Sequence, residues 1–131
     1  MARPTRILLA DDVALPETLA IYESFSKKRE LMIARTRAMG MHLDREPDGT
    51  FYCFVSLRDL PEPLTDGMAF FRAALEKKVI CVPGRFFDVN PGQRRAPHWS
   101  RFRQYVRLSF GPEIAEVERG LDRLEAMIRE A

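Results

Sequence analysis

The segment Arg103 to Phe110 (RQYVRLSF) centres on one arginine, Arg107, placed between apolar neighbours. Side chains alternate across a β-sheet, so Val106, Leu108 and Phe110 share one face and Tyr105, Arg107 and Ser109 the other. A guanidinium on such a strand is a rigid fork of donors that matches a carboxylate or phosphate through two parallel hydrogen bonds. On spacing alone Arg107 is either that kind of ligand group or a solvated or salt-bridged arginine on an open face.

A second concentration of charge surrounds it. Between Arg85 and Arg107 lie six arginines against one acid, Asp88, interleaved with Phe86, Phe87, Trp99, Phe102 and Tyr105. Cations with aromatics suit single-stranded nucleic acid. Prolines interrupt the stretch, however, and it has no recognised motif spacing. Nucleic acid is therefore the alternative reading, not the favoured one. His42 and His98 have no nucleophile or metal partner nearby in sequence and read as surface or loop residues. Cys53 and Cys81 sit in apolar runs without metal-ligand spacing and read as buried free thiols of a reducing cytoplasm. No phosphate-cradling glycine pattern, paired-carboxylate motif or metal set is expected.

The elements that must position Arg107 follow from periodicity. Pro16-Glu17 opens a helix in which Leu15, Leu19, Tyr22, Phe25, Met32 and Met39 form one apolar stripe, and Gly40 ends it. Met41 to Arg45 reads as a short strand, and Glu46 to Gly49 as a turn. Thr50 to Leu57 is apolar on both faces and reads as an interior strand. Asp66 caps a helix through Met68, Phe71 and Leu75 that ends near Lys77-Lys78. Val79 to Val82 is a short buried strand, Arg85 to Trp99 an irregular excursion, and Arg103 to Phe110 a strand. A final helix repeats Ile114, Val117, Leu121, Leu124 and Ile128. The fold class is α/β in the two-layer sense: a small mixed or antiparallel sheet of about four strands with helices on one face.

GTFYCF (Gly49 to Phe54), a helix, VICVPGRFF (Val79 to Phe87), YVRLSFGP (Tyr105 to Pro112) and an amphipathic helix follow one another in this order. Together they resemble the end of class I/II aminotransferases of the fold-type I group, from about Leu15 to the C-terminus. The resemblance implies a C-terminal small domain over residues 15–131, preceded by an N-terminal extension, 1–14, with the large cofactor-binding domain absent. It implies that Arg107 binds the substrate α-carboxylate, and that Gly49, Thr50 and Phe51 shape the pocket edge. Val82 to Gly84 would also approach the active site. The complete enzyme would use pyridoxal phosphate, act on an amino acid and a 2-oxo acid, dock its own large domain on this one, and form a homodimer.

The family's cofactor lysine, its acid at the pyridine nitrogen and its phosphate cup lie on the large domain. Ser24-Phe25-Ser26-Lys27 superficially resembles the lysine motif, but no glycine follows Lys27 before Gly40, and Lys27 falls mid-helix, so it reads as a solvated charge. This chain alone is accordingly expected to bind no cofactor, to contribute no catalytic group and to be inactive. A stand-alone module binding a small carboxylate is a further alternative. Composition agrees with one soluble domain: 131 residues, 46% apolar, 31% charged, net charge +2. No apolar run approaches the ~20 residues of a membrane span, Met1 to Leu9 lacks the apolar core of a signal peptide, and the expected location is the cytoplasm.

Overall fold

The computed structural model describes residues 11–90, 94–96 and 99–131; His98 and most of the expected extension lie outside them. Helix α1 spans Asp11–Ala38. It ends as expected at Gly40, whose φ of +96° is the left-handed region that glycine enters without strain. Gly40 N–H donates to the Arg37 carbonyl and Met41 N–H to the Thr36 carbonyl, both at 3.0 Å, which satisfies the helix's last carbonyls. Pro16 does not open α1 but lies inside it. The expected stripe divides in two. Leu15, Leu19 and Tyr22 are exposed, and only from Phe25 onward does α1 pack on the domain, burying Lys28, Met32, Ile33 and Thr36.

Strands β1 (Tyr52–Ser56), β2 (Val82–Pro83) and β3 (Tyr105–Ser109) form an antiparallel sheet in the order β1-β3-β2. Three strands form where about four were expected. Met41 to Arg45 contributes only a bridge, in which His42 N–H donates to the Ser56 carbonyl at 3.0 Å and Ser56 N–H to the His42 carbonyl at 2.7 Å. Val79 to Val82 is also shorter than expected. Val79 N–H donates to the Ala74 carbonyl to finish a helix, which removes it from the ladder, and Ile80 is exposed.

β1 is at the edge, not the interior. Its apolar character on both faces has another cause: Cys53 and Val55 enter the core, while Phe54 on the opposite face is covered by other aromatic rings. Register pairs Phe54 with Arg107 and Val82 with Arg107, so Arg107 sits at the centre of the central strand.

Helix α2 (Gly67–Glu76) is capped as its sequence announces, Asp66 Oδ2 accepting the Ala69 N–H at 2.9 Å. Its buried face is Gly67, Phe70 and Ala74, not Met68, Phe71 and Leu75. Gly67 sets that rotation: a Cβ there would lie 2.7 Å from the Tyr105 carbonyl oxygen, and its N–H donates to the Arg103 carbonyl at 2.7 Å. Helix α3 (Ile114–Glu130) buries Val117, Leu121, Leu124 and Met127, with Ile114 exposed and Ile128 only partly buried. Arg35 ties α1 to α3 through Asp122 at 2.7 Å and Glu125 at 2.9 Å. The core therefore lies between the Val55, Val106, Leu108 face of the sheet and the helices, as a two-layer arrangement requires.

Candidate functional site

The face of the sheet turned from the helices carries Tyr52 and Phe54 from β1 and Tyr105 and Arg107 from β3. All four are half-buried, whereas Val55 and Val106, their neighbours on the opposite face, are fully buried. The guanidinium carbon of Arg107 lies 4.9 Å from the Tyr52 ring centroid and 5.0 Å from that of Phe87. Rings at this range attract a cation through their negative faces. Among the described residues no carboxylate pairs with Arg107. The arginine is held by π-faces, which use none of its N–H groups.

Beneath it the rings interlock. Phe54 stacks on Tyr105, centroids 4.9 Å apart and planes 12° from parallel, and meets Phe102 and Phe87 edge-on at 5.4 and 6.1 Å. Offset stacks and edge-to-face pairs are the favoured arrangements of aromatic quadrupoles. Tyr105 OH donates to Asp44 Oδ2 at 2.6 Å; that hydrogen bond, followed by burial and the Asp44 charge, raises the phenol above its ordinary value. Gly84, at the head of the short 3-10 turn Gly84–Phe87, permits this closeness: a Cβ there would stand 2.5 Å from the Phe102 carbonyl oxygen and 2.7 Å from Tyr105 Cβ.

Apart from His98, the residues singled out in the sequence have definite places. Gly49, Thr50 and Phe51 run directly into Tyr52, one of the rings against Arg107. Thr50 adopts φ +67°, a left-handed conformation that a β-branched residue rarely takes, at a cost of order 1–3 kcal/mol. Phe51 is exposed, its ring 5.6 Å from that of Tyr52 in an edge-on pair. At Gly49 an added Cβ would meet nothing, so space alone does not demand glycine there. His42 lies 3.3 Å from Asp44. Cys53 and Cys81 are buried free thiols, which burial pushes up to about 11 and about 12. Lys27 is exposed on α1, as expected of a solvated charge.

The arginine-rich stretch is less free than its composition suggests. Arg95 makes a bidentate pair with Asp88, at 2.8 and 2.9 Å, and lies 5.0 Å over the Trp99 ring. Arg103 donates to the Ser100 carbonyl at 3.3 Å. The sequence reading missed that Tyr52 and Phe87 flank Arg107. The signal for Tyr52 was present, because alternation in β1 puts Tyr52 and Phe54 on one face; Phe87 comes from an irregular turn, and no period reports it. Among the described residues no cluster of three or more His, Cys, Asp or Glu could hold a metal ion, and no helix is long and apolar enough to cross a membrane.

Comparison with known proteins bears on what this site belongs to. No family model matches the chain. An aspartate aminotransferase of Thermotoga maritima is 33% identical over 104 residues, which is 79% of this chain and 22% of that protein. The chain is a counterpart of the aminotransferase small domain. A crystal structure of an aminotransferase from Mycobacterium tuberculosis superposes with a TM-score of 0.69 at 26% identity, over 88% of this chain and 27% of that one. An aromatic aminotransferase from Pyrococcus horikoshii shares the fold at TM-score 0.74 and 21% identity, over 95% of this chain and 29% of that one. The chain thus spans only about a quarter of the length of the aminotransferases it matches.

Proposed function

We propose that this chain is the small domain of a pyridoxal-phosphate-dependent aminotransferase and that Arg107 is its clamp for the substrate α-carboxylate. One observation carries the reading. Arg107 stands at the middle of the central strand, steadied by two rings, with no carboxylate paired to it among the described residues. A half-buried structural arginine would have its fork filled by an acid, as Arg95 does. Held by ring faces, the Arg107 fork keeps its N–H donors for a ligand, which a planar carboxylate matches in two bonds.

The reaction exchanges an amino group between an amino acid and a 2-oxo acid, and the cofactor supplies the electron sink. In this reading the cofactor site is built by residues of the large domain. Tyr52 and Phe87, not a lysine, lie against Arg107; Lys27 is exposed, and Lys28 donates to the Gly111 carbonyl at 3.2 Å. The cofactor lysine and phosphate cup belong to the rest of the enzyme, so this chain alone has no turnover. Its task is orientation, because holding the carboxylate fixes where the α-carbon sits. Gly49, Thr50 and Phe51 form the pocket edge, at the strained entry to β1. The exposed Leu15, Leu19 and Tyr22 of α1 are where the large domain packs, since such a run of apolar side chains marks a surface to be covered. The assembled enzyme is a homodimer in the cytoplasm.

The test is Arg107→Lys in the assembled enzyme. A charge-assisted bidentate pair is worth about 1.5–3 kcal/mol, so kcat/KM should fall at least ~10-fold, because a point charge does not reproduce the fork. An unchanged kcat/KM removes Arg107 from the site.

A further inference from the structure

The described residues between Asp88 and Gln104 make no helix or strand, yet one carboxylate joins Arg95, Ser100 and Arg101 among them. Asp88 Oδ1 and Oδ2 accept from the two terminal nitrogens of Arg95 at 2.8 and 2.9 Å; Oδ2 also accepts the Ser100 hydroxyl at 2.7 Å and the Arg101 N–H at 3.1 Å. Its side chain is only 7% exposed. The Arg95 and Ser100 hydrogen bonds hold this carboxyl down at about 2, so it stays charged throughout the ordinary pH range. Ser100 Oγ in turn accepts the Phe102 N–H at 3.1 Å.

The ends so joined are chemically particular. Asp88 directly follows Phe87, and Ser100 lies two residues before Phe102; these are the two phenylalanines whose rings meet Phe54 edge-on. Phe87 is also one of the two rings against Arg107. It is 40% exposed, so burial alone does not fix it. We propose that Asp88 is a positioning residue for Arg107: by tying the excursion together it holds Phe87 against the guanidinium and so presets the fork for a carboxylate. The proposal rests on the carboxylate reading of Arg107. Its physical content is preorganisation, since an arginine already confined by its neighbours loses less side-chain freedom when a ligand arrives.

The test uses the full chain, isotopically labelled, with succinate as probe. The Arg107 Nε–H signal, identified by its loss in Arg107→Lys, is followed by NMR during titration. Contacts between the Phe87 ring and the Arg107 side chain are read in the same samples. In Asp88→Asn those contacts should vanish and the succinate dissociation constant should rise about fivefold, with the β1 and β3 amides unmoved. Phe87→Ala should show a comparable rise while the Arg95 Nε–H signal stays in place, which a purely structural role of Asp88 would not produce. If Asp88→Asn does not fold, Phe87→Ala decides alone. Wild-type affinity in Phe87→Ala, or intact contacts and affinity in a folded Asp88→Asn, overturns the positioning role while leaving Arg107 as clamp. An Arg107 signal in the wild type that ignores succinate overturns the carboxylate reading itself, and the proposal with it.

Discussion

The two faces of this sheet are carried mainly by the same two strands, β1 and β3, and obey different physics. On the helix side Val55, Val106 and Phe110 have no exposure and Cys53 and Leu108 nearly none, so what counts there is filled volume. On the other side Tyr52, Phe54, Tyr105 and Arg107 stay half-buried, and what counts is direction: which ring edge meets which face, and where a guanidinium fork points. Hydrophobic burial is non-directional and roughly proportional to area; quadrupole contacts and charge-assisted hydrogen bonds depend on angle. The first face should therefore govern whether the chain folds, and the second what the folded chain can hold.

The sharpest way to break this division is Phe110→Ala. Phe110 is fully buried, its ring 6.4 Å from that of Phe25 on α1. Deleting such a ring costs about 3–5 kcal/mol through lost transfer energy and the cavity left behind. Urea unfolding should show that loss. A change below about 1 kcal/mol would mean that the helix side is not the folding face. Next in size is Gly84→Ala, which strikes where the faces meet. The new methyl would press on the Phe102 carbonyl oxygen and on Tyr105, atoms of backbone or strand that cannot swing aside. Overpacking of this kind costs about 1–3 kcal/mol. Because the shift would displace the turn that carries Phe87, the NMR signals of Arg107 should move along with the stability. Stability lost with Arg107 unmoved would separate the two effects.

Sequence periodicity reached the helix side far better than the other. The alternation in β3 put Val106, Leu108 and Phe110 on the buried face and Arg107 on the open one, as the structure has them. The Asp66 cap and the Gly40 stop were equally plain, since each is local backbone chemistry. Long-range contacts decided what was misread. The α2 stripe is turned by one residue because Gly67 must abut the backbone at Tyr105, a neighbour invisible from the helix itself. The stripe of α1 runs past the point where the domain ends, so Leu15, Leu19 and Tyr22 match the period but not the core. The second apolar face of β1 suggests an interior strand by composition, but that face meets the rings of Phe87 and Phe102, which no period in the sequence reports. The candidate site is thus legible in the sequence as a single arginine with Tyr52 on the same sheet face by alternation, whereas Phe87 and Phe102 are not.

The smallest effect probes the open face alone. Tyr105→Phe keeps the ring that stacks on Phe54 and removes only the hydroxyl that donates to Asp44. The bond is exposed to solvent, so its loss should cost only about 0.5 kcal/mol at pH 7. Its sign with pH is fixed by the raised phenol. With the folded value above the ordinary 10, the contribution is whole below that pH and is lost as pH rises through the folded value. Wild type and Tyr105→Phe should therefore differ in urea midpoint at neutral pH and converge in strong alkali. A deficit that persists unchanged above the phenol's titration would place the hydroxyl's value in packing against its neighbours, and the open face would then obey the same rule as the core.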